Sequence, residues 1–147
     1  MNVNRKPLWT IVLLLLLAAI WLWQSPVDET GESGASRDDL ARIEEAFAEQ
    51  RSDLWVESGG TVARVLRDDT DGSAHQRFLV ELANGQTLLF AHNIDLAPRV
   101  PLERGDRITF RGEYEWNDKG GVIHWTHRDP RNRSAGGWIE HDGRRYR

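Results

Sequence analysis

The chain has no cysteine. That absence excludes disulfide bonds, thiolate metal sites, a cysteine nucleophile and a lipid-modified cysteine near the N-terminus. It leaves the compartment open, because a cysteine-free protein is equally at ease in oxidising and reducing surroundings. A basic surface is missing as well. Residues 55–147 carry fourteen charges of each sign, so the body of the chain is neutral and lacks the electrostatic footprint of a nucleic-acid binder. Standard catalytic signatures are absent: no Gly-x-Ser-x-Gly elbow, no His-Glu-x-x-His pair and no phosphate-cradling glycine loop. With 147 residues there is room for one domain of ordinary size. Its stability must come from a hydrophobic core, for which a chain with seven tryptophans has unusually large side chains to draw on.

What is present begins with a membrane signal. Leu8–Trp23 is apolar apart from Thr10 and follows Arg5 and Lys6. Sixteen residues at a helical rise span about 24 Å, a little short of a typical hydrocarbon core. Trp9, Trp21 and Trp23 stand where interfacial aromatics belong. No small-x-small cleavage site follows Ala18-Ala19. Residues 1–24 therefore read as an uncleaved anchor in preference to a cleaved signal, and Arg5 and Lys6 send the remainder across the membrane. Residues 25–36, rich in Gly, Ser and acids, read as a flexible linker. Beyond it, residues 37–147 read as the folded domain.

Ser36 resembles an N-cap, and Leu40, Ile43, Phe47 and Leu54 recur at helical spacing, which predicts an amphipathic helix over about Arg37–Arg51. From Trp55 the period changes to two. Thr61–Leu66 reads as a strand entered through a bulge or bend at Gly59-Gly60. Arg67–Ala74 is a polar loop whose Asp68, Asp69, Asp71 and Gly72 do not match an EF-hand.

Asn84-Gly85 between two alternating runs is a strong hairpin signal. A two-residue turn would place Phe78, Val80 and Leu82 with Thr87, Leu89 and Ala91 on the core face. It would set Arg77 across from His92, with His75 diagonally adjacent. Asn93 or Asp95 could then cap a single helical turn before Pro98. In the next strand Ile108, Phe110, Gly112, Tyr114 and Trp116 alternate with Arg107, Thr109, Arg111, Glu113 and Glu115. A four-residue loop at 117–120 would pair 112 with 125, laying Trp125 over Gly112. Ile123 and His127 would point inward and His124 would lie beside Glu113 outside; a five-residue loop reverses each facing. Trp138-Ile139 and Tyr146 suggest a closing hairpin about Asp142-Gly143. The order fits a mainly β chain: a small OB-like, Greek-key antiparallel barrel preceded by one short helix, with an SH3-like barrel as the competitor.

Several runs carry a family resemblance. Asp68-Asp69 with His75-Gln76-Arg77-Phe78, His92 through Arg99, Gly112-Glu113-Tyr114-Glu115-Trp116-Asn117 and Gly120 through Pro130 are similar to DUF3465, a family of small bacterial proteins without an assigned function. The resemblance covers about residues 55–147. It implies a Gram-negative envelope protein and no activity; combined with the apolar N-terminal segment, that reads as a single-pass inner-membrane protein with a periplasmic C-terminal domain or, if the segment is cleaved, a protein secreted to the periplasm. The chain departs from the family pattern at Arg128 and Ser134, where the pattern carries His, which weighs against an obligatory multi-His metal site.

Three functions compete on these residues. The first is a membrane-tethered OB-like binding module for a saccharide, peptide or envelope protein. Its candidate ligand-binding residues are His75, Arg77, His92, Asp95, His124, Trp125, His127 and Arg128. Trp116, Trp125 and Trp138 would stack, and Arg111, Arg128 and Arg131 would bind an anionic group, unless the tryptophans are simply core. The second is a metal-dependent hydrolase or nuclease with His75, His92, His127 and Asp95 around a divalent ion. Two features oppose it: histidines spread over a barrel more often serve hydrogen bonding, and on an extended strand His124 and His127 face apart. The third is a scaffold of an envelope complex with the 37–51 helix as its contact. The binding module, with no enzyme activity and no cofactor, is the preferred reading.

Overall fold

The computed structural model describes residues 34–147, with side chains from Asp39 onward. The expected anchor and most of the expected linker lie outside the described residues. Among the described residues no helix is long and apolar enough to cross a membrane.

Helix α1 spans Gly34–Ala48. It starts earlier than the Ser36 cap suggests, so Ser36 lies inside its first turn. Ile43 and Ala46 are fully buried in the barrel core, and Trp116 donates its indole N–H to the Phe47 carbonyl at 3.1 Å. The amphipathic face read from the sequence is thus a lid on the barrel.

Seven strands follow: β1 (Leu54–Val65), β2 (His75–Leu82), β3 (Thr87–Asn93), β4 (Arg107–Glu115), β5 (Val122–His124), β6 (Trp138–His141) and β7 (Arg144–Tyr146). Strand β1 is twice as long as its expected core because Leu54–Thr61 pairs with β4 before Gly60–Val65 pairs with β2. The irregularity falls between Val62 and Arg64 rather than at Gly59-Gly60. By serving two neighbours in succession, β1 closes a five-stranded barrel in the order β1-β2-β3-β5-β4-β1. All its pairings are antiparallel except β3 with β5. The β6–β7 hairpin extends the sheet from β4 and turns at Asp142-Gly143, both at positive φ, where the sequence places it.

The core is aromatic. Phe78 stacks on Phe90 at 4.9 Å between centroids, and Phe110 meets Phe90 edge-on at 4.8 Å. Burying each such ring contributes about 1.5–3 kcal/mol, and such aromatic pairs are worth about 0.5–1.5 kcal/mol beyond that.

The β2–β3 register differs from expectation by one residue. Phe78 opposes Phe90 and Gln76 opposes His92, because the loop has three residues and Gly85 takes the left-handed conformation (φ 83°) of a G1 bulge. Leu88, Phe90 and His92 therefore point inward, in place of Thr87, Leu89 and Ala91. The predicted gathering of Arg77 with His92 and His75 is lost: His92 is inside, and His75 and Arg77 are on the opposite face.

One end of the barrel is closed by polar pins. Gln76 donates to the Val100 carbonyl (2.7 Å) and accepts from its N–H (2.9 Å), holding buried Val100 in place. Asn93 caps a single turn by accepting from the N–H groups of Asp95 and Leu96, as the sequence suggests. Arg99 makes a two-point ion pair with Asp68, which ties this segment to the β1–β2 loop and lowers the Asp68 pKa through the guanidinium contact.

Candidate functional site

Strand β4 alternates strictly, so Glu113 and Glu115 lie on the outside while Tyr114 is fully buried. The four-residue loop that follows fixes parity as expected: Glu113 opposes His124, Tyr114 opposes Ile123, and Glu115 opposes Val122. His124 therefore emerges on the outer face beside the two glutamates.

Strand β5 stops there. Trp125 adopts φ 53°, a left-handed conformation rare for a bulky residue, which turns the chain over. Trp125 is consequently 40% exposed and does not lie over Gly112. Thr126 and Ile123 take that place: a Cβ on Gly112 would come within 2.6 Å of Ile123 Cγ2 and 3.0 Å of Thr126 Cγ2. The turn also removes the expected opposition of His124 and His127, which holds only for an extended strand.

Residues 125–137 leave the edge of β4 at the end of β5 and return to the same edge as β6. Gly137 closes the excursion with an N–H donated to the His127 carbonyl at 2.8 Å. The Asp129 carboxylate organises its tip, accepting from the N–H groups of Arg131 (2.9 Å), Arg133 (3.0 Å) and Ser134 (3.1 Å). Those hydrogen bonds lower the Asp129 pKa.

The excursion brings Trp125, His127 and Pro130 against the ends of β2 and β3. Together with His75, Ala91, Asn93, Leu96 and His124 they line a cleft of about 240 Å³. The Trp125 ring lies 5.3 Å from that of His127 and 6.4 Å from that of His124. His75 donates Nδ1–H to the Ser73 carbonyl (2.7 Å), and His127 donates Nδ1–H to the Arg128 carbonyl (2.7 Å). A carbonyl can only accept, so in the neutral form of either ring Nε2 carries the lone pair. Two imidazoles are thus fixed in one tautomer at one cleft.

His92 differs completely. It is fully buried, donates Nε2–H to the Pro98 carbonyl (3.1 Å) and accepts at Nδ1 from the Thr126 hydroxyl (2.8 Å). Burial lowers its pKa to about 4, so it stays neutral. With both nitrogens engaged it is a structural group that anchors Thr126, and so the start of the excursion, to the β3–β4 connection.

The remaining sequence candidates disperse. Asp95 accepts from the Ala74 N–H (2.8 Å), and Arg77 donates to the Arg67 carbonyl (3.2 Å). Arg128 is exposed. Trp116 is held by α1, and buried Trp138 is covered by the Arg145 guanidinium 4.0 Å from its centroid. Arg111 lies over Trp55 and binds the Gly136 carbonyl. Of the three tryptophans expected to stack a ligand, Trp125 alone is exposed.

Among the described residues one set of metal-ligating side chains converges within 4.8 Å: Glu113, Glu115 and His124. The set His75, His92, His127 and Asp95 does not. Sequence reading placed His124 beside Glu113 but missed Glu115, although the alternation of β4 was the available signal. It also missed Leu96 and Pro130, which reach the cleft through turns that no periodicity encodes. Burial raises the Glu113 pKa, with the neighbouring carboxylates adding to the effect and His124 opposing it.

A comparison with curated proteins finds no match. The family described as "Protein of unknown function (DUF3465)" matches residues 30–147, a span that takes in α1, the whole barrel and the excursion. The chain therefore belongs to the DUF3465 family.

Proposed function

We propose that this protein is an OB-type binding module, tethered by residues 8–23 to the inner membrane with its barrel in the periplasm, and that it binds a saccharide or peptide segment in the cleft around Trp125. The strand order and the parallel β3–β5 pairing support the OB assignment. The cleft lies beside β2 and β3, part of the surface that such barrels use for oligosaccharides and oligonucleotides. The neutral body disfavours the second of those ligands.

One observation carries the reading. Of the three large hydrophobic side chains that are exposed among the described residues, Leu96 and Trp125 line the same cleft, and Trp125 is held there by a strained backbone. Such strain costs on the order of 1–3 kcal/mol and persists at binding and catalytic sites. An exposed indole between two imidazoles offers a stacking face for a sugar ring or peptide side chain, with ring nitrogens beside it for hydroxyl or amide groups. A metal-dependent hydrolase built on His75, His92, His127 and Asp95 draws less support, because His92 and Asp95 already serve the fold.

Titrating the chain with envelope glycan fragments and peptides, read by chemical shifts of cleft residues, tests the proposal. Binding should perturb Trp125 and His127 and be lost in Trp125→Ala. A ligand bound equally well by Trp125→Ala would contradict the site. A topology reporter placed after residue 24 that gave a cytoplasmic signal would contradict the compartment.

A further inference from the structure

We infer that Glu113, Glu115 and His124 form a binding site for a divalent transition-metal ion on the outer face of β4 and β5. The inference goes beyond ligand binding in the cleft: the two carboxylates lie outside it, and His124 is the one side chain common to both.

The placement follows from strand geometry. Residues two apart on β4 present Glu113 and Glu115 on one face, and the register sets His124 directly across from Glu113 on that same face. His124 Nε2 lies 3.8 Å from Glu113 Oε1 and 3.6 Å from Glu115 Oε1. Those separations exceed a hydrogen bond. Ligand atoms about 2.1 Å from a tetrahedral ion stand about 3.4 Å apart; the three ligand atoms here lie within 4.8 Å of one another, so an inward rotation of both carboxylates would let one ion bridge all three.

Two further observations point to a cation. His124 Nε2 is shielded from solvent and has no hydrogen-bond partner, a distinction no other buried side-chain nitrogen or oxygen shares among the described residues. Among the described residues neither glutamate carboxylate accepts a hydrogen bond or pairs with an arginine or lysine; His124 is the one basic side chain within ion-pair distance of either. An anionic cluster without a basic partner, closed by a shielded imidazole nitrogen, suits an ion that supplies positive charge at that point. Two carboxylates with one imidazole match Zn2+ or Mn2+; Ca2+ and Mg2+ favour all-oxygen sites.

The test uses the full chain in detergent, stripped with a chelator and titrated with Zn2+ in a calorimeter. One equivalent should bind. Glu113→Gln and Glu115→Gln, which preserve shape, should each weaken binding at least about 10-fold, as should His124→Ala. Glu81→Gln, an exposed carboxylate outside both the triad and the cleft, should leave it unchanged. Absence of saturable Zn2+ uptake, or uptake that survives Glu113→Gln and Glu115→Gln undiminished, overturns the inference. Imidazole 15N shifts of the unmodified chain give a readout free of any folding defect. His124 Nε2 should move on Zn2+ addition while His92 does not, and a His124 signal indifferent to Zn2+ overturns the site. Glycan and peptide titrations of the metal-free chain keep failure here separate from failure of the cleft.

Discussion

His92 and His124 leave neighbouring strands of one barrel, yet their surroundings are opposites. His92 is enclosed, with Thr126 donating to one nitrogen and Pro98 accepting from the other. His124 is half-exposed as a residue, while its Nε2 is shielded and unpartnered beside two carboxylates that are themselves free of hydrogen bonds among the described residues. A buried polar atom without a partner costs on the order of 1–3 kcal/mol. Among the described residues every other buried side-chain polar atom has a partner, so this one is left open by the fold and not by a general shortage of partners. The difference teaches that the inner end of the barrel serves stability, whereas the outer face of β5 leaves a ligating atom uncommitted to the fold.

The comparison predicts a graded set of effects. The largest belongs to the core: Phe90→Ala should cost about 3–5 kcal/mol in denaturant unfolding, since the ring contacts both Phe78 and Phe110.

The pH dependence of stability should come next. His92 has a folded pKa of about 4 against an ordinary value of 6.5. Above pH 6.5 the ring is neutral in both states and its contribution is fully present. As pH falls from about 6.5 towards about 4 the unfolded chain takes up a proton that the fold refuses. About 3 kcal/mol should be lost across that window, and His92→Gln should flatten the loss. An unchanged pH profile in His92→Gln would show that His92 is not the group responsible.

Smaller again is Gly137→Ala. An added Cβ would overlap the carbonyl oxygens of Trp125 and Arg111, so β6 must shift and the excursion must loosen. A loss of about 1–3 kcal/mol is expected, together with broadened resonances for Trp125 and His127. The smallest effect should be a gain: Trp125→Asn relieves the left-handed conformation and should raise stability by up to about 1 kcal/mol while abolishing ligand binding. A marked loss of stability would instead make Trp125 a packing residue.

Much of the scaffold was legible in residue order. The alternation of β4, the parity of the β4–β5 loop, the Asn93 cap and the Asp142-Gly143 turn all follow from local rules, because each is decided within a few residues. The β2–β3 register was not, since Asn84-Gly85 serves two-residue and three-residue loops alike, and one residue of slip turned His92 from surface to core. The cleft was legible in part. His75, His124, Trp125 and His127 stand out as residue types, but their meeting depends on a tryptophan at positive φ, against its own preference, and on a loop returned to the sheet by Gly137. Local propensity fails at such strained positions, which is where binding sites concentrate.

The contrast between engaged and free imidazoles can be read directly from the long-range 1H–15N spectrum of the histidine rings, recorded at a pH that leaves every ring neutral. His92 should appear with its proton on Nε2, and His75 and His127 with theirs on Nδ1, leaving two Nε2 lone pairs at the cleft. A spectrum with His92 protonated on Nδ1, or with His75 and His127 protonated on Nε2, would contradict the division of the barrel into a closed structural end and an open cleft with free imidazole nitrogens.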